Sequence, residues 1–409
     1  MVNEISNKKI CEHCKPVIAN PNHYVETLFI YAGIVLGPFV DLFEKITPNY
    51  LKSGKVENAL IYCIIRILSA IRVANFVPIE NVKTRYNNRT MVICDEAKRR
   101  GYAIEAVKIF NIHTNIFKLD LPKKSLIFQS LPLVDISDDV INFDDKYILK
   151  SFLELNGFPY IDGSAFANVD SAIQYGIKLG FPLVVKPRQG SLSRHTTVGI
   201  ENEKELREAI KIVRKITNKF IVEKFIDGRN YRITLVQNKI VGCSLRESPN
   251  VVGDGISTIA DLIEQKNSHP LRGEKHDKNS TLKKIEIDQA LKNFIDQQKF
   301  SLDDVPVENK KIYLGNKIVL ASGADIHDVT DLIHIKNVKL FENISTLLNA
   351  SIIGFDVIMP CISRPYNEVV FGIIEANGVP YIDMHHFPIS GKSRNVASVI
   401  FDAVEMDNK

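Results

Sequence analysis

Residues 351–388 read SIIGFDVIMPCISRPYNEVVFGIIEANGVPYIDMHHFP, two apolar runs separated by the polar, proline-bearing CISRPYNE. The runs IIGFDVIM and VVFGIIEA have strand character and the insert has turn character, so the segment predicts a β-hairpin. The midpoint of positions 356 and 375 falls between Pro365 and Tyr366, inside the loop, and a symmetric hairpin therefore sets Asp356 opposite Glu375. Asn377 lies two residues beyond Glu375, so strand alternation sends both side chains to one face. Facing carboxylates repel, and charges in strands this hydrophobic are costly unless paired or metal-bound. Two readings follow: acids paired with Lys or Arg, or three hard oxygen donors for Mg2+, which takes one or two carboxylates and completes its shell with water and phosphate.

A second stretch, VVKPRQGSLSRHTTVGI (184–200), is an apolar strand ending in Lys186 and Pro187, followed by a polar loop that keeps Gly190. A flexible ammonium at a strand end and the N–H groups of the next loop can neutralise a polyanion, although Lys-Pro is also common strand punctuation.

The chain has 409 residues, 45% of them hydrophobic, enough for two or three domains. Its 52 basic and 48 acidic residues nearly cancel, leaving +4, and point to no nucleic-acid partner. The start, MVNEISNKKICEHCKP, lacks the apolar core of a secretory leader, and six cysteines in so long a chain do not form a disulfide framework, so a cytoplasmic protein is expected. The run TLFIYAGIVLGPFV (27–40) is shorter than the ~20 residues that span a bilayer and carries a Gly-Pro break, so no membrane anchor is expected.

Periodicity predicts a helical segment over residues 1–85, with Leu60, Ile64, Leu68 and Ile71 at helical spacing. From Arg89, RTMVICDEAKRRGYAIEAVKIF reads as strand, short helix closed by Gly101, and strand. SLIFQSL and FPLVVKP are strands flanking the helix DDKYILKSFLELNG, and ENEKELREAIKIVRKIT is an amphipathic helix with a solvated charged face.

In order along the chain, VVKP, VEKFIDGRNYR, VVGDGISTIADLIEQKN, DVTD, GFDVI and IIEANGVPYIDMHHFPISGKSR resemble the ATP-grasp carboxylate–amine ligases, of the type found in cyanophycin synthetase and bifunctional glutathione synthetase. The resemblance covers about residues 141–405. It implies an α/β fold with α+β lobes, two of which clasp ATP: a helical N-terminal segment (1–85), a small α/β pre-ATP-grasp domain (86–140), a lid lobe (141–225) and a C-terminal lobe with the magnesium site (226–409). By the same resemblance Lys146 and Lys186 contact ATP phosphates, the loop with Gly190 and Ser191 is the flap over them, and Glu223, Lys224 and Ile226 hold adenine. Asn230 stands where many relatives carry an acid that bonds ribose. Asp356, Glu375 and Asn377 match magnesium ligands, with manganese as an alternative ion, and Arg246, Arg272 and His276 match positions near the substrates. The implied reaction is ATP-dependent amide or peptide bond formation through an acyl phosphate, on a small amino acid or peptide, by a monomer or homo-oligomer. Alternatives are an ATP-binding module without catalysis and a ligase that modifies a protein tail.

Two departures stand out. Ser193 and His195 occupy flap positions where glycines are expected, and His195 reads as capping an exposed loop or as a donor to phosphate. Gly315, Lys317 and Val319 replace an arginine and two asparagines of close relatives. Elsewhere, Cys11 and Cys14 in CEHC are half of a zinc-site spacing, with His13 or His23 as further ligands, but no second CxxC follows and a structural zinc is not expected. Cys63, Cys94, Cys243 and Cys361 read as core residues, and His385 and His386 as packing residues.

Overall fold

The computed structural model describes residues 65–82, 86–110, 112–132, 142–190 and 194–406. CEHC, Cys63, Ser191, Ser193 and the run 27–40 lie outside them. Among the described residues no helix is long and apolar enough to cross a membrane.

The first sheet is an antiparallel meander of β1 (Ala74–Pro78), β2 (Ala103–Ile109), β3 (Ile112–Asp120) and β4 (Ser125–Gln129). The sequence reading needs two corrections here. Residues 74–78, placed in a helical segment, form a strand that pairs with β2. RTMVIC, read as a strand, opens helix α1 (Asn88–Arg99). The reason is local: the Asn87 side chain accepts from the Thr90 N–H and caps the helix, a start signal that outweighs the β-branched residues. Met91, Val92 and Ala97 then bury against Ile104, Phe117 and Phe128, with Ile400, Phe401 and Val404 of the last helix in the same core.

The second sheet has the order β5 (Gly163–Phe166), β8 (Phe220–Lys224), β6 (Leu183–Pro187), β7 (Thr197–Ile200). Helix α2 (Lys146–Leu155) precedes it, and α3 (Val169–Leu179) and α4 (Glu203–Val213) cover one face. Leu183, Val185, Phe220 and Val222 meet Ile173, Leu206 and Ile210 in that core. Alternation leaves Val184, Lys186, Ile221 and Glu223 on the other face.

The third sheet has five strands in the order β15 (Asp325–Asp328), β10 (Lys239–Glu247), β9 (Arg229–Val236), β16 (Ile352–Met359), β17 (Gly372–Asn377), all pairs antiparallel. Tyr231, Ile233, Leu235, Cys243, Phe355 and Val357 face one way and pack with α2 and with helix α7 (Ile335–Leu348) through Leu149, Phe152, Phe341 and Ile344. The opposite face is polar. Between β10 and β15 the chain makes a satellite unit of short strands β11 (Asn250–Val252), β12 (Arg272–Gly273), β13 (Leu282–Lys283) and β14 (Lys311–Tyr313) with helix α5 (Ile259–Asn267) and helix α6 (Gln289–Gln297), and a core of its own.

Phe355 is fully buried with its ring 5.3 Å from that of Phe341. Phe355→Ala is expected to cost about 3–5 kcal/mol in urea unfolding, whereas Glu208→Ala, on the solvated face of α4, should stay within about 0.5 kcal/mol.

Candidate functional site

The hairpin register pairs Gly354 with Asn377, Phe355 with Ala376 and Asp356 with Glu375, after which a bulge shifts the pairing to Val357 with Ile373. The two acids are therefore opposite each other, as the midpoint of the loop predicts. The bulge is not visible in the sequence, and it matters: the carbonyl of Ile374, the extra residue, accepts from Lys186 Nζ at 3.2 Å.

Because antiparallel partners share a face, one register row runs across all five strands: Asp328, Ser244, Arg232, Asp356 and Glu375. Arg232 Nε donates to Asp356 Oδ1, and Arg246 Nη2 pairs with Asp356 Oδ2 at 2.9 Å while also holding Asn230 Oδ1 at 2.5 Å. Burial alone would raise the Asp356 carboxyl, but the charges of Arg232 and Arg246 outweigh it and hold the group well below the usual carboxylate range. Arg232 Nη1 is buried without a hydrogen-bond partner, beside Gly354, where an added Cβ would lie 3.4 Å from it. A Cβ at 354 would also meet Pro380 Cβ at 2.8 Å, so the absent side chain makes room chiefly for Pro380. Arg232 was given no role from the sequence, although YRITLV already places it with Asn230 and Thr234 opposite the apolar Tyr231 and Ile233.

His385 closes the next stretch of this face. It contacts Thr234 Oγ1 at 2.7 Å and Ser244 Oγ at 2.9 Å, directly over Gly242, where a Cβ would collide with the ring. Burial, with the Arg232 charge adding to it, lowers His385 to about 3, and burial lowers His386 to about 4.

Two ammonium groups face this row, Lys186 from the second sheet and Lys146 from the start of α2. Lys186, 7% exposed, pairs with Glu223 Oε1 at 2.6 Å as well as with the Ile374 carbonyl. Lys146 Nζ lies 3.4 Å from Glu375 Oε2 and donates to the Gly190 carbonyl at 2.7 Å, and Glu375 Oε1 accepts from Asn377 Nδ2 at 3.1 Å. Ile226 sits above Gly372 of β17. Lys146, Lys186, Gly190, Glu223, Glu375 and Asn377 are thus brought together from α2, the second sheet and the loop after β6, and β17.

Other expected residues lie elsewhere. The Lys224 side chain turns to the Gly180 and Phe181 carbonyls, because its register partner Leu183 faces the α3/α4 core, so only its backbone is left for a ligand. Arg272 is enclosed: its guanidinium pairs with Asp325 and donates to the Lys283 carbonyl at 2.5 Å and the Gly323 carbonyl at 3.2 Å, bracing the satellite unit. His276 is exposed on a loop of that unit. His195 neither caps an exposed loop nor faces a phosphate; it is buried with Nδ1 2.7 Å from the Ile212 carbonyl, and its φ of 52° is the left-handed conformation that favours glycine. Cys94 and Cys243 are buried, but Cys361 is partly exposed in the hairpin loop, 3.0 Å from Ser363 Oγ.

Asp356, Glu375 and Asn377 offer hard oxygens on one sheet face, a donor set that fits Mg2+. Among the described residues no three His, Cys, Asp or Glu side chains gather around one point, and both Asp356 oxygens are held by arginines. A cavity of about 440 Å³ opens from Asn230 and Arg246 toward Arg229, Ser248, Tyr313 and Gly315, within the ~300–1,000 Å³ typical of small-molecule sites.

Arg232→Met leaves the buried Asp356 charge with one partner and is expected to cost about 3–5 kcal/mol, with Arg232→Met/Asp356→Leu recovering much of it in chemical unfolding. The unfolded chain protonates His385 near 6.5 and the folded chain only near 3. Its contribution is therefore complete above about pH 6.5 and declines as pH falls toward 3. His385→Gln should flatten the stability profile in that window.

Residues 160–260 match the family described as D-ala D-ala ligase C-terminus. The chain is 34% identical to cyanophycin synthetase of Trichormus variabilis over 63% of its own length and 28% of the relative. It is 30% identical to the glutathione biosynthesis bifunctional protein GshAB of Mannheimia succiniciproducens over 63% of its length and 35% of that protein. The matched region thus takes in well under two thirds of these relatives. The crystal structure of a bifunctional glutathione synthetase from Pasteurella multocida superimposes on 79% of this chain and 44% of that one, with a TM-score of 0.60 and 23% identity. Over residues 160–260 the chain is thus similar to the family described as D-ala D-ala ligase C-terminus, and it shares the fold of the glutathione synthetase structure.

Proposed function

We propose that the protein is an ATP- and magnesium-dependent carboxylate–amine ligase acting on an amino acid or peptide. The observation that carries this reading is the approach of Lys146 and Lys186 to strand β17, one touching Glu375 and the other the Ile374 carbonyl. Two ammonium groups over a pair of carboxylates and an amide form a site for a polyanion and its counter-ion. Mg2+, held by Glu375 and Asn377 with Asp356, supplies charge neutralisation to the terminal phosphates.

Lys146 and Lys186 bind and orient the triphosphate, and Glu223, Ile226 and the Lys224 backbone line the nucleotide side, with Asn230 placed for a ribose hydroxyl. The substrate acid lies in the cavity beside Arg246, its carboxylate directed at the γ-phosphorus. Attack there releases ADP and gives an acyl phosphate, which an amine displaces to form the amide and free phosphate. In this reading Arg232 Nη1, a buried donor without a partner on this face, bonds an oxygen of the transferred group.

Nucleotide binding without turnover is the second reading. It is favoured by the engagement of both Asp356 oxygens by arginines. Calorimetry with Mg-ATP, beside a phosphate-release screen of amino acids and short acidic peptides, separates the two: ATP binding without phosphate release from any pair selects the second.

Glu375→Gln should keep the fold and abolish magnesium-dependent turnover, and full activity in that variant overturns the ligase reading. Gly315 faces open space, so Gly315→Leu is tolerated by the fold; it should raise KM for the acid about tenfold or more and leave ATP affinity unchanged.

A further inference from the structure

Asp145 is 2% exposed and stands where the two lobes meet. Its helix, α2, is packed by Leu149, Phe152 and Leu153 into the core under the five-stranded sheet, whereas the strand that ends in Lys186 belongs to the separate core of the second sheet. One carboxylate serves both. Asp145 Oδ1 caps α2, accepting from the N–H groups of Tyr147 at 2.9 Å and Ile148 at 3.2 Å. Across the boundary, Arg188 Nε donates to Oδ1 at 2.9 Å and Oδ2 at 2.7 Å, and Gln189 Nε2 donates to Oδ2 at 3.2 Å.

The surrounding contacts run the same way. The Arg188 guanidinium lies 5.3 Å from the centre of the Tyr147 ring, the Lys146 N–H donates to the Arg188 carbonyl at 3.4 Å, and Lys146 Nζ holds the Gly190 carbonyl. Arg188 is in turn tied into its own lobe by its N–H to the Lys219 carbonyl at 3.1 Å. A helix cap needs only one acceptor oxygen. The second oxygen and the Arg188 Nε–H shared between both oxygens have no capping purpose, and charge-assisted bonds are about twice as strong as neutral ones. A pocket of about 290 Å³ lined by Asp145, Arg188, Gln189 and Lys219 lies beside the pair.

We propose that Asp145 is a positioning residue, a latch between the lobes that sets Lys146 and the end of the Lys186 strand in register with each other. Asp145 adjoins Lys146, and Arg188 is two residues past Lys186, so one ion pair governs the separation of both ammonium groups. This inference rests on the nucleotide-site reading above for its effect on ATP, and on geometry alone for the latch.

Asp145→Ser keeps an N-cap oxygen and removes the partner of Arg188; Arg188→Gln removes the other half. For a latch, each variant weakens Mg-ATP binding in calorimetry about tenfold, the double variant is no weaker than the poorer single, and Arg188→Lys restores part of the loss. Amide hydrogen exchange at 188–190 rises in both variants, while Val185 and Val222 in the sheet core keep their protection. An Asp145 that only caps α2 predicts a different pattern: Asp145→Ser and Arg188→Gln with unchanged exchange and affinity, or effects that multiply in the double variant, and either result overturns the latch. A wild-type protein that binds no ATP refutes the nucleotide site instead, and the exchange data then decide the latch by themselves.

Discussion

A carboxylate buried between two guanidinium groups, Asp356 between Arg232 and Arg246, is the interaction on which the polar face of the large sheet depends. Removing three charges from water is costly, and the cost is offset only when every partner stays in place. The pairing works because β9, β10 and β16 hold their residues in one register, so the ions meet without long side chains having to search for each other. Gly354 and Gly242 have the complementary task of leaving room, one for Pro380 and the other for the His385 ring.

Strand alternation then divides the work. The face with Tyr231, Ile233, Phe355 and Val357 supplies hydrophobic stabilisation, and the face with Arg232, Asp356, Glu375 and Asn377 is relieved of that duty. The second sheet repeats the division on a smaller scale, with its core on the α3/α4 side and Lys186 with Glu223 on the other. Two half-buried sheets thus turn their polar faces toward one another: Lys186 of one reaches the Ile374 carbonyl of the other, and Lys146 at the start of α2 reaches Glu375.

The hairpin and its facing acids were legible in the sequence because a period of two and a turn between matching apolar runs leave little choice of register. Lys186 at a strand end and the strands around it were legible for the same reason. Other features rest on information that periodicity does not carry. Helix α1 was obscured because RTMVIC is as compatible with a strand as with a helix until Asn87 caps it. Arg272 and Lys224 occupy positions that resemblance associates with ligands, yet their side chains are drawn to carbonyls and to Asp325, partners remote in sequence. The left-handed backbone at His195 likewise agrees with the glycine expected there, while the destination of the ring was set by helix α4.

By itself the sequence determined the strand faces, the opposition of Asp356 and Glu375, and the position of Lys186 at a strand end. Only the tertiary structure decided which charges meet: Arg232 and Arg246 on Asp356, Lys146 on Glu375, Lys186 on the carbonyl freed by the bulge at Ile374, and Asp145 on Arg188. The reason is physical. Alternation is a local property of the backbone, whereas a buried charge is stabilised by whichever opposite charge the packing of distant elements brings within a few ångströms.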